Sequence, residues 1–94
     1  LEDIIVNPAG TNAQRLMLVS IGLDMKRPED LTILREKDVL LKDAVISLLS
    51  TKTLDKLNEI GYKDTLRVEL SKIITQRIPE VQVNQVYFSK YIIQ

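Results

Sequence analysis

From Arg15 onward, Met17, Val19, Ile21 and Leu23 recur at every second position. That period belongs to a β-strand with one buried face, because successive side chains of a strand point to opposite sides of its sheet. Leu16 and Leu18 make the first half of the strand apolar on its other face as well, whereas Ser20, Gly22 and Asp24 return its second half to ordinary alternation. A strand apolar on both sides needs cover on both sides, and this requirement governs how the remaining segments must be arranged.

Upstream, the apolar run Ile4 to Val6 stops at Asn7-Pro8, a pair that cannot continue a strand, so the first strand is short. Residues Pro8 to Ala13 then connect two antiparallel strands. The NPAGTN stretch, Asn7 to Asn12, holds one glycine, has no lysine after it and leads into a strand. A phosphate cradle draws on several backbone N–H groups at a helix N-terminus, so the loop is a hairpin connector and not an anion site.

Arg27-Pro28-Glu29-Asp30 marks a helix start, with proline in the first turn and acids near the positive end of the macrodipole; the segment to Lys37 is helical but weakly patterned. Asp38 is placed to cap a continuing stretch whose apolar positions Leu41, Ala44, Val45, Leu48 and Leu49 follow the helical repeat. Thr53 is the expected N-cap of a short helix holding Leu54 and Leu57, which Gly61 can close in the left-handed conformation. Leu66, Leu70, Ile73 and Ile74 pattern a further helix with Pro79 just past its end.

The last segment, Val81 to Gln94, is rich in β-branched and aromatic residues and predicts a long strand. Val81 and Val83 share a face; beyond them Val86, Phe88 and Ile92 fall on one side, with Tyr87, Tyr91 and Ile93 on the other. A bulge near Asn84-Gln85 would change the phase, since one extra residue flips every later side chain. The fold class is α+β, order β-β-α-α-α-β, with a three-stranded, mainly antiparallel sheet packed on helices. Tyr87, Tyr91 and Ile93, together with Leu16 and Leu18, then form an apolar patch. A partner or a second copy covers it, unless helices cover both sheet faces or the phase of the strand is different.

The 94 residues make a single domain, and 13 basic residues balance 13 acidic ones without blocks of either sign, which leaves no electrostatic footprint for nucleic acid. Cysteine and histidine are absent, so disulfides, thiol nucleophiles, ordinary zinc sites and histidine acid–base schemes are excluded. Ser47, Ser50 and Lys52 lie close in sequence, yet a serine–lysine nucleophile needs a lysine whose charge burial suppresses. Serines on the polar side of a helix explain the same letters. Asp38, Asp43, Asp64 and Glu69 sit on helices dense in lysine and arginine, which favours ion-paired surface over an acid–base dyad. No catalytic residue, cofactor, metal or small-molecule substrate is expected.

The ordered set VNPAGTNAQRLMLVSIGL, KDAVISLLSTKTLDKLNEIGYKDTLRVELSKII and the terminal VYFSKYIIQ resembles the C-terminal domain of the flagellar basal-body-associated FliL family. The likeness covers nearly the whole chain. It rests on Asn7 at the end of the first strand, Asp43 before an apolar helix ending in LLSTKT, Gly61, the Leu66-Arg67 pair and a last strand closing on Gln94. Lys90, where the family often has an acidic residue, departs from the pattern.

The resemblance implies a non-enzymatic domain, similar to the stomatin/prohibitin (SPFH) type, on the periplasmic or extracytoplasmic face of the inner membrane. It implies association with the MotA and MotB stator proteins and self-association into a ring. It also implies an N-terminal membrane anchor upstream of Leu1, since no run here reaches the ~18 apolar residues of a span. Leu16, Leu18, Tyr87, Tyr91 and Ile93 are the expected subunit contacts. Asp43, Lys52, Gly61 and Arg67 match the family pattern and are assigned to the fold, with Asp43 or a helix C-terminus as the partner available to Arg67. The alternative is a stomatin-like membrane scaffold or extracytoplasmic protein-binding domain not tied to flagella.

Overall fold

The period-two stretch forms strand β2, Met17–Met25, at the centre of a three-stranded antiparallel sheet of order β1-β2-β3, in a computed structural model that describes residues 1–12 and 14–94. Strand β1, Ile4–Val6, pairs only with its first third, through Ile4 opposite Val19 and Val6 opposite Met17. Strand β3, Val83–Ile93, runs along the whole of β2 on the other side. The expected connector joins β1 to β2, though its last residue, Ala13, lies outside the described residues. The Ala9 N–H of this loop donates to the Lys52 carbonyl at 2.9 Å, and Pro8 is buried, which pins the loop to the turn that follows the second helix.

Helix α1, Asp30–Glu36, opens with i to i+3 bonds onto Arg27, Pro28 and Glu29, as a proline-bearing first turn should. Lys37 alone separates it from α2, Asp38–Leu49, so the two form one interrupted helix and the β-β-α-α-α-β order holds. Lys37, and not Asp38, occupies the cap position. Asp38 has entered the helix and its carboxylate pairs instead with Lys42 at 3.0 Å, the i,i+4 neighbour that helical geometry offers. Thr53 caps the short α3, Leu54–Leu57, its hydroxyl accepting from the Lys56 N–H at 3.3 Å. Gly61 is left-handed, at φ 83°, but it opens α4 (Tyr62–Arg77), while Asn58 ends α3. Pro79 follows α4 as expected.

All of these helices lie on one side of the sheet. Met17, Val19, Ile21 and Ile4 bury against Val45, Leu49, Leu57, Leu66 and Leu70. A second cluster of Leu34, Leu41, Ile74, Ile78 and Val81 packs α1 against the far end of α4. Asp30 is the one buried charged side chain among the described residues, at 1% exposure. Its carboxylate accepts from the Gln82 N–H at 3.0 Å and from Arg27 Nε at 3.2 Å, which ties the start of α1 to the approach to β3.

Strand β3 carries two irregularities. The pairing steps over Asn84, where a bulge is expected, and again over Ser89, where none is. The second step reverses the faces of everything after it: Val19 faces Tyr91, and Met17 faces Ile93. Tyr91 and Ile93 therefore join Val86 and Phe88 on the helix side, and Ile92 moves to the open side with Tyr87.

Candidate functional site

The open side of the sheet is where apolar residues lack cover. The register sets Ile5 opposite Leu18 and Leu18 opposite Ile92, so one row crosses all three strands on the face away from the helices. Leu16, bonded to Gln94 through both backbone groups, extends the row at the end of the sheet. Ile5, Leu16 and Ile92 are exposed, Leu18 is half-buried, and Tyr87 stands exposed further along β3. Between this row and Tyr87 the face is polar. There the Asp3 N–H donates to Ser20 Oγ at 2.9 Å, and Lys90 Nζ donates to the Asp3 carboxylate at 3.0 Å. That contact raises the Lys90 pKa above the ordinary lysine value and gives the lysine, which departs from the family pattern, a local partner.

The five expected contact residues thus divide by face. Leu16, Leu18 and Tyr87 lie on the open face. Tyr91 and Ile93 turn inward, where the Tyr91 hydroxyl donates to the Leu57 carbonyl at 2.7 Å and its ring meets Phe88 edge-on at 5.3 Å. Ile5 and Ile92 complete the open row, and neither is among the five expected contacts. Ile5 was legible, since it lies between two core-facing neighbours in β1, whereas placing Ile92 requires the bulge at Ser89.

Of the family-pattern residues, Lys52, Asp43 and Arg67 each have an ion-pair partner within the domain. Lys52 Nζ pairs with Glu69 at 2.7 Å in a partly covered site between the end of α2 and α4. The hydrogen bond it donates to Glu69 holds its pKa above the ordinary lysine value, against the opposing effect of burial. A serine–lysine nucleophile needs the reverse, and Ser50 Oγ meanwhile donates to the Ser47 carbonyl at 3.2 Å. Asp43 pairs with Arg77 at 3.2 Å, not with Arg67. Arg67 pairs with Asp64 and sets its guanidinium 5.6 Å from the Phe88 ring centroid. Each of the four surface carboxylates Asp38, Asp43, Asp64 and Glu69 thus has a basic partner. An open groove of about 660 Å³ between α4 and the outer edge of β3 is lined by residues of both signs, including the paired Arg67 and Asp64.

The whole chain, residues 1–94, matches the family model of the flagellar basal body-associated protein FliL. The chain belongs to the FliL family. It is 30% identical over 90 residues to the flagellar protein FliL of Aquifex aeolicus, a match covering 96% of this chain and 56% of that protein. It is 31% identical over 94 residues to the flagellar protein FliL of Bacillus subtilis, covering the full chain and 65% of the relative. The flagellar protein LafL of Vibrio parahaemolyticus is 19% identical over 98 residues, covering the full chain and 59% of that protein. The chain thus spans about three fifths of the length of its FliL relatives. Membership makes this a domain of a flagellar basal-body-associated protein, and favours the flagellar reading over a scaffold unconnected with flagella. No helix among the described residues is long and apolar enough to cross a membrane.

Proposed function

We propose that this FliL domain stands on the periplasmic or extracytoplasmic side of the inner membrane, tethered by an N-terminal anchor, and assembles with other copies into a ring around the periplasmic part of a MotA/MotB stator unit. The observation that carries the reading is the uncovered row Ile5, Leu18 and Ile92, continued by Leu16, on a domain whose family is named for the flagellar basal body. An apolar row across a sheet that has no helix over it is stabilised by a protein neighbour. Leu16, Leu18 and Tyr87 retain the role of subunit contacts, now joined by Ile5 and Ile92. Tyr91 and Ile93 support that face from beneath.

The function is mechanical and involves no covalent chemistry. The ring favours the extended, ion-conducting state of the stator, which requires it to bind that state better than the plugged one. Moving a two-state equilibrium from about 1:99 to 99:1 needs roughly 5.5 kcal/mol of differential binding. Shared among the subunits of a ring, this is a small preference for each. Tethering in one membrane raises the effective concentration, so contacts too weak to hold the isolated domain together suffice for a ring.

Recovery of MotB with the full-length protein, combined with motility of a deletion strain under load, tests the reading. MotB recovery and motility that fails as load rises are expected. No recovery together with normal motility under load contradicts the stator role.

A further inference from the structure

Strand β3 is an edge: β2 pairs along one side of it, and among the described residues no strand pairs along the other. Which backbone groups it leaves free follows from the ladder. Leu16 and Gln94 exchange both of their backbone hydrogen bonds, at 3.1 and 2.8 Å. Alternation along β2 then turns the backbones of Gly22 and Asp24 toward their β3 partners Tyr87 and Gln85. Val86 and Phe88, opposite Leu23 and Ile21, direct their N–H and C=O groups to the outer edge. No protein group among the described residues bonds to them there. Val86 is buried, at 2% exposure, and a buried backbone group without a partner is a cost that an added strand relieves.

The groove between α4 and β3 runs along this edge. Helix α4 lies antiparallel to the strand, with Lys63 over the Tyr91 ring and Arg67 over Phe88, and it lines the groove with Val68, Ser71 and Lys72. Val68, and Tyr87 on the strand, are exposed apolar surface. The ion pairs of α4 use Asp64, Arg67, Glu69 and Arg77, so Lys72 is a groove charge with no ion pair among the described residues. The edge is regular only from Gln85 to Phe88, because the register breaks at Asn84 and again at Ser89. Bulges at both ends bend the strand, which limits it to pairing with a short segment.

We propose that this edge binds a short extended segment of a partner protein as an added strand, bonded to Val86 and Phe88, with an apolar side chain against Val68 and a carboxylate at Lys72. Main-chain bonds supply affinity that does not depend on sequence, and the side chains that alternate into the groove supply selectivity. A second copy is the poorer occupant. Paired edge to edge, it would bring the same groove face, with its own Lys72 and no unpaired carboxylate, and its bulges would break the shared ladder. The surface is separate from the row Ile5, Leu18 and Ile92, so it requires no ring.

The test selects a displayed library of random short peptides on the 94-residue chain, which closes its own core, and follows a selected peptide by NMR. Selected sequences are expected to alternate apolar and polar residues and to carry an aspartate or glutamate. On binding, the Val86 and Phe88 amide protons should move downfield and exchange several-fold more slowly. Lys72 is exposed, so Lys72→Glu keeps the fold; it should weaken binding several-fold, and a lysine in place of the peptide carboxylate should restore it. N-methylation of alternate peptide amides should abolish binding in the phase that faces the edge, an effect that a pocket reading side chains alone would not show. The Ile5→Asp/Ile92→Asp variant should bind as the parent does. Failure to select any peptide, shifts confined to the open sheet face, or binding indifferent to Lys72 would overturn the proposal. Selected sequences that copy β3 itself would overturn it in favour of a second copy at this edge.

Discussion

The phenolic hydroxyl of Tyr91 donates to the carbonyl oxygen of Leu57 at 2.7 Å, tying the last strand of the sheet to the short helix α3. Lys63 lies over the same ring, 4.7 Å from its centroid, so three elements converge on one side chain. A residue whose sequence position suggests an outward contact is therefore a fastening between the two layers.

Tyr91→Phe should cost about 1 kcal/mol, measured as a lower denaturant midpoint at unchanged slope, since it removes one partly buried hydrogen bond and keeps the ring. Tyr91→Asp should cost more, roughly 2 kcal/mol or beyond, because a carboxylate would face Leu57 and Phe88. Burial, followed by the proximity of Tyr62, raises the Tyr91 pKa above the ordinary phenol value. The stability linked to this raised pKa is fully present below about pH 10 and lost as pH rises through the folded-state value. The decline in stability above about pH 10 should therefore be shallower in Tyr91→Phe than in the parent chain. An identical decline would contradict the assignment.

Asp30→Ala should destabilise the domain by about 3 kcal/mol, because it strands the Gln82 N–H and leaves Arg27 without its carboxylate. Asp30→Asn, which keeps an acceptor oxygen, should cost less. Thermal denaturation of the two variants side by side measures the difference. Equal small losses would mean that the buried carboxylate does not hold α1 to the approach to β3.

Gly61→Ala meets no steric obstacle, as nothing lies within 4 Å of an added Cβ, but the backbone there has φ 83°. Left-handed strain alone should then cost about 1–2 kcal/mol, read as a shift in melting temperature. A neutral substitution would show that the turn relaxes without loss.

Much of this fold is legible in the sequence because its signals are local. Leu66, Leu70 and Ile74 are buried where the helical repeat places them, and Met17, Val19 and Ile21 form the core face that period two predicts. Thr53 caps its helix because a threonine hydroxyl needs only the N–H three residues ahead. The features that escape depend on partners far along the chain. Nothing about Asp30 announces Gln82 52 residues away, and the bulge at Ser89 has neither a glycine nor a proline to mark it. That single unmarked residue moves Tyr91 and Ile93 inward and brings Ile92 out. The candidate contact surface is accordingly half legible: Leu16, Leu18 and Tyr87 follow from alternation, while Ile92 requires the register.

In the proposed assembly, the open sheet face joins copies of this domain into a ring at the stator. Imaging the full-length, membrane-anchored protein at the motor tests it most directly, with the parent compared to an Ile5→Asp/Ile92→Asp double variant. Both residues are exposed, so the variant should fold with a melting temperature within a few degrees of the parent. A closed ring of density around the stator in the parent, absent in the folded double variant, is the predicted result. No ring in the parent, or a ring unchanged in the variant, would contradict it.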